Sequence, residues 1–381
     1  MDVAWEQRWH GRLAGGLGVV GVVAMVLGWA PAAWATIASK PDVTGATNGR
    51  VDAIVQVGSI TYVGGSFTSV SDTSGHSYAR SNLAAFDASG NPTSWNPGAN
   101  GTVRALASDG TQIYAGGEFT TIAGKTAVRV GAINPSGSLV WGGNAANTVR
   151  ALAAANGVVY AGGSFTTMGG VARNRLAALA ATSGSVTAWN PNANGTVYAV
   201  AADSSHVFVG GSFTTIGGKA NADLAAVSPT TGAPLSWASH PAYPVFALAE
   251  ASVLFVGGGG AGGHVASYTL TGTQQWAAQL DGDVHGVALA GGEVVAGGHF
   301  NNYCQGGTGS GSPFVCTTPI TRHHILALST SGNLDTTWHP SLNSSLGVFA
   351  EQATSSKLYI GGDFTTVSGV SQPHFARFTI T

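Results

Sequence analysis

A pair of adjacent glycines that follows an apolar or aromatic segment recurs along the chain and marks its repeating unit. The seven pairs are Gly64-Gly65, Gly116-Gly117, Gly162-Gly163, Gly210-Gly211, Gly257-Gly258, Gly297-Gly298 and Gly361-Gly362. A valine stands thirteen residues before the first glycine in six copies and twelve residues before it in the fifth. Self-similarity at a period of roughly fifty residues indicates a repeat architecture in which each copy forms one supersecondary unit.

Aromatic residues accompany the glycines and also mark the second half of each copy. An aromatic residue precedes the pair in six copies, and a phenylalanine follows it in six. A tryptophan stands 20 to 23 residues before the next pair, at Trp95, Trp141, Trp189, Trp237, Trp276 and Trp338. The distance from a pair to the following tryptophan varies more, so insertions collect in one connection per copy.

Each copy has the pattern of four short strands separated by turn signals. In the third copy these are Val149 to Ala153, Val158 to Phe165, Leu176 to Ala180 and a last strand around Trp189, with Asn156-Gly157 as the first turn. Short strands at even spacing without a helical period are typical of propeller blades. The sequence therefore predicts an all-β fold, a seven-bladed β-propeller of four-stranded blades, over residues 36–381.

The two ends of the chain predict how the ring closes. After the last glycine pair, Phe375 to Ile380 supplies a third strand, and no seventh tryptophan strand follows. Before Val51, the segment Asp42 to Gly49 aligns with Ser94 to Gly101 of the first copy. The segment near Val43 is therefore expected to form the outer strand of the last blade, which leaves no long free edge.

The N-terminal residues have the order of a secretory signal peptide. Arg8 and Arg12 precede an apolar stretch from Leu13 to Trp29, which leads to the small-residue site Ala33-Trp34-Ala35. This order predicts that residues 1–35 are removed after Ala35. The alternative is an uncleaved anchor, because the apolar stretch approaches the length of a bilayer span. Either reading predicts a secreted or cell-surface protein.

Charge and cysteine content limit the classes of partner. Charged residues make up 8% of the chain and the net charge is -2, so no basic field is present to attract nucleic acid. Cys304 and Cys316 suit one disulfide in an oxidising compartment and are too few for a four-cysteine metal site. The alternative for these cysteines is free or intermolecular thiols. We expect a monomer that contacts a membrane only through a retained N-terminal segment.

The repeated pattern Val-x-Ala-Leu, aromatic-x-Gly-Gly-x-Phe-Thr-Thr, Leu-Ala-Ala and Trp-x-Pro resembles the bacterial delta-60-type repeat propellers over residues 42 to 381. The Thr-Thr element is lost in copies five and six. The resemblance implies a propeller and no particular activity. Weaker similarity to kelch and quinoprotein propellers raises the possibility of an enzyme, but the kelch aromatic-x6-Trp spacing is missing and Asp87 is not repeated in other copies.

Motifs that carry catalysis are few. The sequence has no G-x-S-x-G, H-E-x-x-H or P-loop pattern. Glu118 and Asp363 could serve as an acid and a base only if the fold brought them together. The histidines of copy six lack carboxylate or cysteine support at metal spacing, so we predict no metal and no cofactor; they are His285, His299, His323 and His324.

These observations favour a binding or scaffold module that recognises a glycan or protein ligand at one mouth of the channel. The alternative is an extracellular propeller enzyme, carbohydrate-active or quinone-dependent, with its site in the variable loops. An enzyme would bring several ionisable groups to one mouth of the channel, whereas a binding module would bring aromatic and amide groups there.

One position in each copy varies in chemistry while its neighbours stay small or apolar. It directly follows the repeated valine and holds Asp52, Arg104, Arg150, Tyr198, Phe246, His285 and Phe349. Because the first strand of a blade lies nearest the propeller axis, these side chains are expected to surround the channel and bind the ligand. Tyr198 and Phe349 would stack on it, and Arg104 and Arg150 would donate hydrogen bonds. The alternative is packing between blades or local pairing, such as Asp52 with a neighbouring arginine.

Overall fold

The computed structural model describes residues 36–308 and 314–381, and its regular elements are β-strands. The predicted signal peptide or anchor, residues 1–35, lies outside the described residues. In the two described ranges, no helix has the length and apolar character needed to cross a membrane. The all-β, propeller-type architecture predicted from the repeats is confirmed by these strands and by the structural likenesses described below.

Each repeat begins with three antiparallel strands, joined first to second and second to third. The first strands are Val51–Val57, Val103–Ser108, Val149–Ala155, Val197–Ala202, Val245–Glu250, Val284–Ala290 and Val348–Ala353. The second strands are Ile60–Gly65, Ile113–Gly117, Val158–Gly163, Val207–Gly211, Leu254–Gly258, Glu293–Gly298 and Lys357–Gly362. The third strands are Leu83–Phe86, Val130–Ile133, Leu176–Ala180, Leu224–Val227, Gly263–Tyr268, Ile325–Ser329 and Phe375–Thr379. The second and third strands are almost wholly buried, in keeping with their runs of Val, Leu and Ala.

The segment around each tryptophan is less regular than four complete strands per repeat would require. It forms a strand at Leu139–Gly142 and at Gln274–Leu280. In four other repeats it makes one isolated bridge to the third strand, at Phe86–Pro92, Leu179–Val186, Val227–Pro234 and Leu328–Leu334. Two of these bridges end on proline, which has no N–H to continue a ladder.

Small hairpins follow the glycine pairs, and a side-chain amide holds them. They join Ser69–Ser71 to Ser77–Ala79, Thr121–Ile122 to Lys125–Thr126, Thr167–Met168 to Val171–Ala172, Thr215–Ile216 to Lys219–Ala220, and Thr366–Val367 to Val370–Ser371. Ser69–Ser71 also pairs with Ala46–Thr47. The Asn100 Oδ1 accepts hydrogen bonds from the N–H groups of Thr120 and Thr121 at 2.8 and 2.9 Å, and its Nδ2 donates to the Thr120 hydroxyl. Asn48, Asn194 and Asn343 make the corresponding bonds, which explains the repeated Thr-Thr element.

The first glycine of each pair is the contact point between successive repeats. A Cβ on Gly64 would stand 2.6 Å from a methyl group of Val103, the valine that opens the next repeat. The same relation holds around the series, and a Cβ on Gly361 would clash with Val51 of the first repeat. The first strands pack side by side in the same cyclic order, with that of the last repeat against that of the first. The glycines therefore allow the close approach that the sequence predicts.

The tryptophans link each repeat to the next by a hydrogen bond. The indole Nε1 of Trp95 donates to the Asn134 carbonyl at 3.1 Å, and those of Trp141, Trp189 and Trp276 donate to corresponding turns. The Nε1 of Trp338 donates instead to the carbonyl of Ala38 at 3.0 Å. The N-terminal segment thus occupies, beside the last repeat, the place that a turn occupies elsewhere.

This N-terminal segment pairs with the last strand of the chain. The N–H groups of Thr36, Ala38 and Asp42 donate to the carbonyls of Thr381, Thr379 and Arg377. The pairing runs over residues 36–42, upstream of the expected Val43, whose residue surface is 68% exposed. In place of a seventh tryptophan, the Arg377 guanidinium donates to the Ala88 carbonyl at 2.7 Å and to the Asp42 carboxylate at 2.9 Å.

The long insertion of the sixth repeat lies on the edge of the fifth. Its strands are Asn302–Cys304, Gly307–Thr308, Val315–Cys316 and Pro319–Thr321. The first of them pairs with Gln274–Leu280, which extends that sheet to six strands. The predicted disulfide between Cys304 and Cys316 is confirmed, with the two Cα atoms 5.4 Å apart. A disulfide is typical of proteins from non-reducing compartments.

Candidate ligand-binding ring

Every first strand carries a β-bulge at the residue after its opening valine. Val51 pairs with Gly65 and Ala53 pairs with Gly64, which leaves Asp52 as the extra residue. The bulge recurs in the other repeats at Arg104, Arg150, Tyr198, Phe246, His285 and Phe349. A Cβ at Gly65 would collide with the Arg50 carbonyl, so the second glycine of the pair makes room for the bulged backbone. Bulges re-aim side chains, and they are over-represented beside functional sites.

The seven bulged side chains, here called the ring, line one cavity of about 290 Å³. The structure thus brings together every residue that the variable position selects in the sequence. It also shows the local pairing that was the alternative, because Asp52 lies between two arginines. Whether the ring binds a ligand is taken up under the proposed function.

The first part of the ring is charged and internally paired. The Asp52 carboxylate is 4% exposed and lies 2.6 Å from the Arg50 Nε and 3.3 Å from an Arg104 nitrogen. Burial raises the pKa of Asp52 above its usual value, and the two arginines oppose that shift. Arg104 also contacts Glu118 at 3.2 Å. Its charge is therefore divided between two carboxylates of this site.

Arg150 continues the charged part without a carboxylate partner. Its Nε donates to the Ser164 hydroxyl at 3.2 Å, and its guanidinium carbon lies 5.8 Å from the centre of the Tyr198 ring. The ion pairs found among residues 36–308 and 314–381 do not include Arg150. Its remaining N–H groups can therefore serve a ligand in the cavity.

The other four ring residues form a continuous aromatic wall. The ring centres of Tyr198 and Phe246 are 5.2 Å apart, and His285 lies 5.5 Å from Phe246 and 5.1 Å from Phe349. The Arg50 guanidinium lies 4.6 Å from the centre of Phe349. Burial is the main cause that lowers the pKa of His285, so its imidazole is uncharged at neutral pH. Phe349 therefore already stacks on His285 and contacts Arg50.

The sequence interpretation missed Arg50, which belongs to the site through Asp52 and Phe349. Arg50 is the only basic residue among those that precede the repeated valines, and this was the signal for it. Glu118 and Asp363 do not form an acid–base pair: Glu118 contacts Arg104, whereas Asp363 accepts hydrogen bonds from Ser345 and the Gly347 N–H. In the part of the chain that the structure describes, no group of three or more His, Cys, Asp or Glu side chains is placed to hold a metal ion.

Solved structures with a similar fold are propellers. The WD40 β-propeller domain of Doa1 has a TM-score of 0.57 and 12% identity, covering 89% of this chain and 96% of its own. The RRP9 WD40 repeats have a TM-score of 0.57 and 13% identity, covering 91% and 100%. The computationally designed Ika8 protein has a TM-score of 0.55 and 12% identity, covering 89% and 99%. At such identities these likenesses establish the fold alone.

The fold therefore makes this chain a β-propeller protein. In sequence, residues 355–379 match the family described as "Domain of unknown function (DUF5122) beta-propeller". The match spans the second and third strands of the last repeat and supports the resemblance to a repeat-propeller family. No curated protein matches the chain in sequence.

Proposed function

We propose that this chain is an exported binding or scaffold module, a seven-bladed propeller of four-stranded blades whose last blade is completed by the N-terminal segment. The proposal includes removal of residues 1–35 as a signal peptide. The disulfide of the sixth repeat supports a non-reducing environment. The cyclic contacts of the first strands support the ring of blades.

The observation that carries the binding function is the convergence of seven bulged side chains on one cavity. At about 290 Å³ it is at the lower end of ligand-pocket volumes, roughly 300–1,000 Å³. A cavity of this size suits one terminal group of a larger ligand. Aromatic faces opposite hydrogen-bond donors are suited to a sugar ring, which has apolar faces and polar edges.

The charge of the site favours an acidic ligand group. Three arginines, Arg50, Arg104 and Arg150, face two carboxylates, Asp52 and Glu118, which leaves one positive charge in excess. An arginine fork matches a carboxylate in two parallel hydrogen bonds. A glycan that ends in a uronic acid is therefore our preferred ligand, with a protein loop as the other ligand class.

The test is an array of uronic-acid-terminated glycans, neutral glycans and peptides, probed with residues 36–381. We expect the acidic glycans to bind, and Arg104→Ala combined with Tyr198→Ala to abolish that binding while the melting temperature changes by no more than a few degrees. The matched control combines Lys125→Ala with Tyr78→Ala, two exposed positions outside the ring.

Three results would change the proposal. Equal binding of neutral glycans would remove the acidic preference. Binding of peptides alone would assign a protein ligand. Unchanged affinity in the folded Arg104→Ala and Tyr198→Ala double variant would move the site to the insertion loops.

A further inference from the structure

A second cavity, of about 300 Å³, lies toward the opposite end of the first strands from the ring. The ring uses the second residue of each first strand, whereas this cavity is lined by the fourth to sixth residues of those strands in repeats five, six and seven. Leu248, Val287 and Leu289 supply its apolar wall, and Glu250, Glu351 and Gln352 supply its polar groups. We call it the acidic cavity.

Glu351 breaks the pattern of its own repeat position. The equivalent residues of the other six repeats are aliphatic: Ile54, Leu106, Leu152, Val200, Leu248 and Val287. The Glu351 side chain is fully buried, and neither carboxyl oxygen has a hydrogen-bond partner. Burial raises the pKa of Glu351 well above its usual value. A buried carboxyl group without a partner lowers stability, so an aliphatic residue would serve the fold better.

A second departure, in the neighbouring repeat, makes room for this carboxyl group. The residue two after the repeated valine is alanine in six repeats and glycine only at Gly286. A Cβ on Gly286 would clash with a carboxyl oxygen of Glu351. The two exceptions to the repeat pattern therefore contact each other. Departures from local rules that cost stability are expected at functional sites.

The charges around the acidic cavity are all of one sign. Burial, together with a hydrogen bond shared with the Asp203 carboxyl group, raises the pKa of Glu250 to about 7. No Lys, Arg or His is among the residues that line the cavity. Of the nearby second strands, that of repeat seven begins with Lys357, which is bound to Asp42, and that of repeat six begins with Glu293. The carboxyl groups are not placed to hold a metal ion within the described residues.

We propose that the acidic cavity binds a primary alkylammonium group, with Glu351 as its carboxylate partner and the apolar wall in contact with the alkyl chain. The ammonium group supplies the donors that the buried carboxyl group lacks, and the apolar wall buries methylene groups. A free amine and a protein lysine share this chemistry. The proposal does not depend on the ligand of the ring.

Binding should be linked to proton release. The cation favours the ionised carboxylate, so Glu351, and Glu250 beside it, must lose protons when the cation enters. Raising the pH has already removed part of these protons, and the affinity should therefore rise from pH 6 to pH 8. Asp203, which shares the proton of Glu250, belongs to the same titrating group.

The test is calorimetric titration of residues 36–381 with n-butylammonium chloride, using n-butanol and sodium chloride as references. We expect saturable binding of n-butylammonium alone, and affinity lower by roughly tenfold or more in Glu351→Gln and Glu351→Leu, since each removes the charge partner. Glu118→Gln, in the ring, is the control and should bind as the unaltered chain does. A lysine-containing pentapeptide that binds more tightly than n-butylammonium would identify a protein lysine, and the reverse order a free amine.

Glu351→Leu should also raise the melting temperature, because it restores the aliphatic residue of the other repeats. Absence of saturable n-butylammonium binding, or equal binding in Glu351→Gln, would overturn the proposal. If Glu351→Leu does not fold, the nearly isosteric Glu351→Gln decides the question.

Discussion

The two parts of the ring differ in how their side chains are held. Asp52 and Arg104 are fixed by ion pairs, whereas Tyr198, Phe246, His285 and Phe349 are fixed by successive ring contacts. An arginine stands over an aromatic ring at each boundary, Arg150 over Tyr198 and Arg50 over Phe349. Only the first boundary has a cation without a carboxylate partner among the described residues, so it is the more available for a ligand.

The second boundary is also where the chain closes. Phe349 belongs to the last repeat and Arg50 to the first, so the closing contacts of residues 36–42 hold the charged and aromatic parts together. The first boundary lies between adjacent repeats joined by the polypeptide itself. The comparison therefore predicts that one boundary is sensitive to loss of the N-terminal segment and the other is not.

Deletion of residues 36–48 should have the largest effect. It removes the pairing with Phe375–Thr379, the acceptor of the Trp338 indole and the Asp42 carboxylate. We expect the whole ring to lose stability and the melting temperature to fall far below that of residues 36–381, as calorimetry would show. If the truncated protein melts like the longer chain, the closure described here is wrong.

A change at the charged part should have an intermediate effect. Arg50→Ala leaves buried Asp52 with Arg104 alone, and the free energy of unfolding should fall by about 1–3 kcal/mol, less than the 3–5 kcal/mol typical when a buried pair is fully broken. Arg150→Ala is the matched control and should change it by about 0.5 kcal/mol or less, as at other positions without a partner. Urea unfolding measures both, and equal losses would contradict the difference between the boundaries.

The pH dependence should be smaller and should separate two aspartates near the second boundary. Burial opposes ionisation of Asp42, but hydrogen bonds from Lys357, Thr379 and Arg377 lower its pKa below the usual value. Its stabilising contribution is present above about pH 4 and is lost as the pH falls through the lowered pKa.

Asp52 has the opposite sign, because its raised pKa gives a contribution that is lost as the pH rises through that value. In melting curves from pH 3 to pH 7, Asp42→Asn should lack part of the acid destabilisation and Asp52→Asn should retain it. An unchanged acid limb in Asp42→Asn would show that this contact does not stabilise the closure.

The repeat pattern predicts the propeller and the ring because both follow from positions that recur in register. Arg150 and Tyr198 can be selected from the sequence since they stand one residue after a repeated valine, where the bulge places them. Arg50 and Glu351 cannot be selected by that rule, because each differs from its repeat equivalents at a position that is otherwise structural. The shift of the closing contact from Val43 to residues 36–42 depends on the charged contacts of Asp42, which no other repeat shares.

The most direct test of ligand binding at the ring compares Arg150→Ala with Arg104→Ala. Titration of each with a glucuronic-acid-terminated oligosaccharide should show affinity lower by roughly tenfold or more for Arg150→Ala, since its unpaired guanidinium is the donor free for a carboxylate. Arg104→Ala should lose less, because its guanidinium already contacts Asp52 and Glu118. Unaltered affinity in Arg150→Ala, or a greater loss in Arg104→Ala, would contradict the assignment of the ligand to the Arg150–Tyr198 boundary.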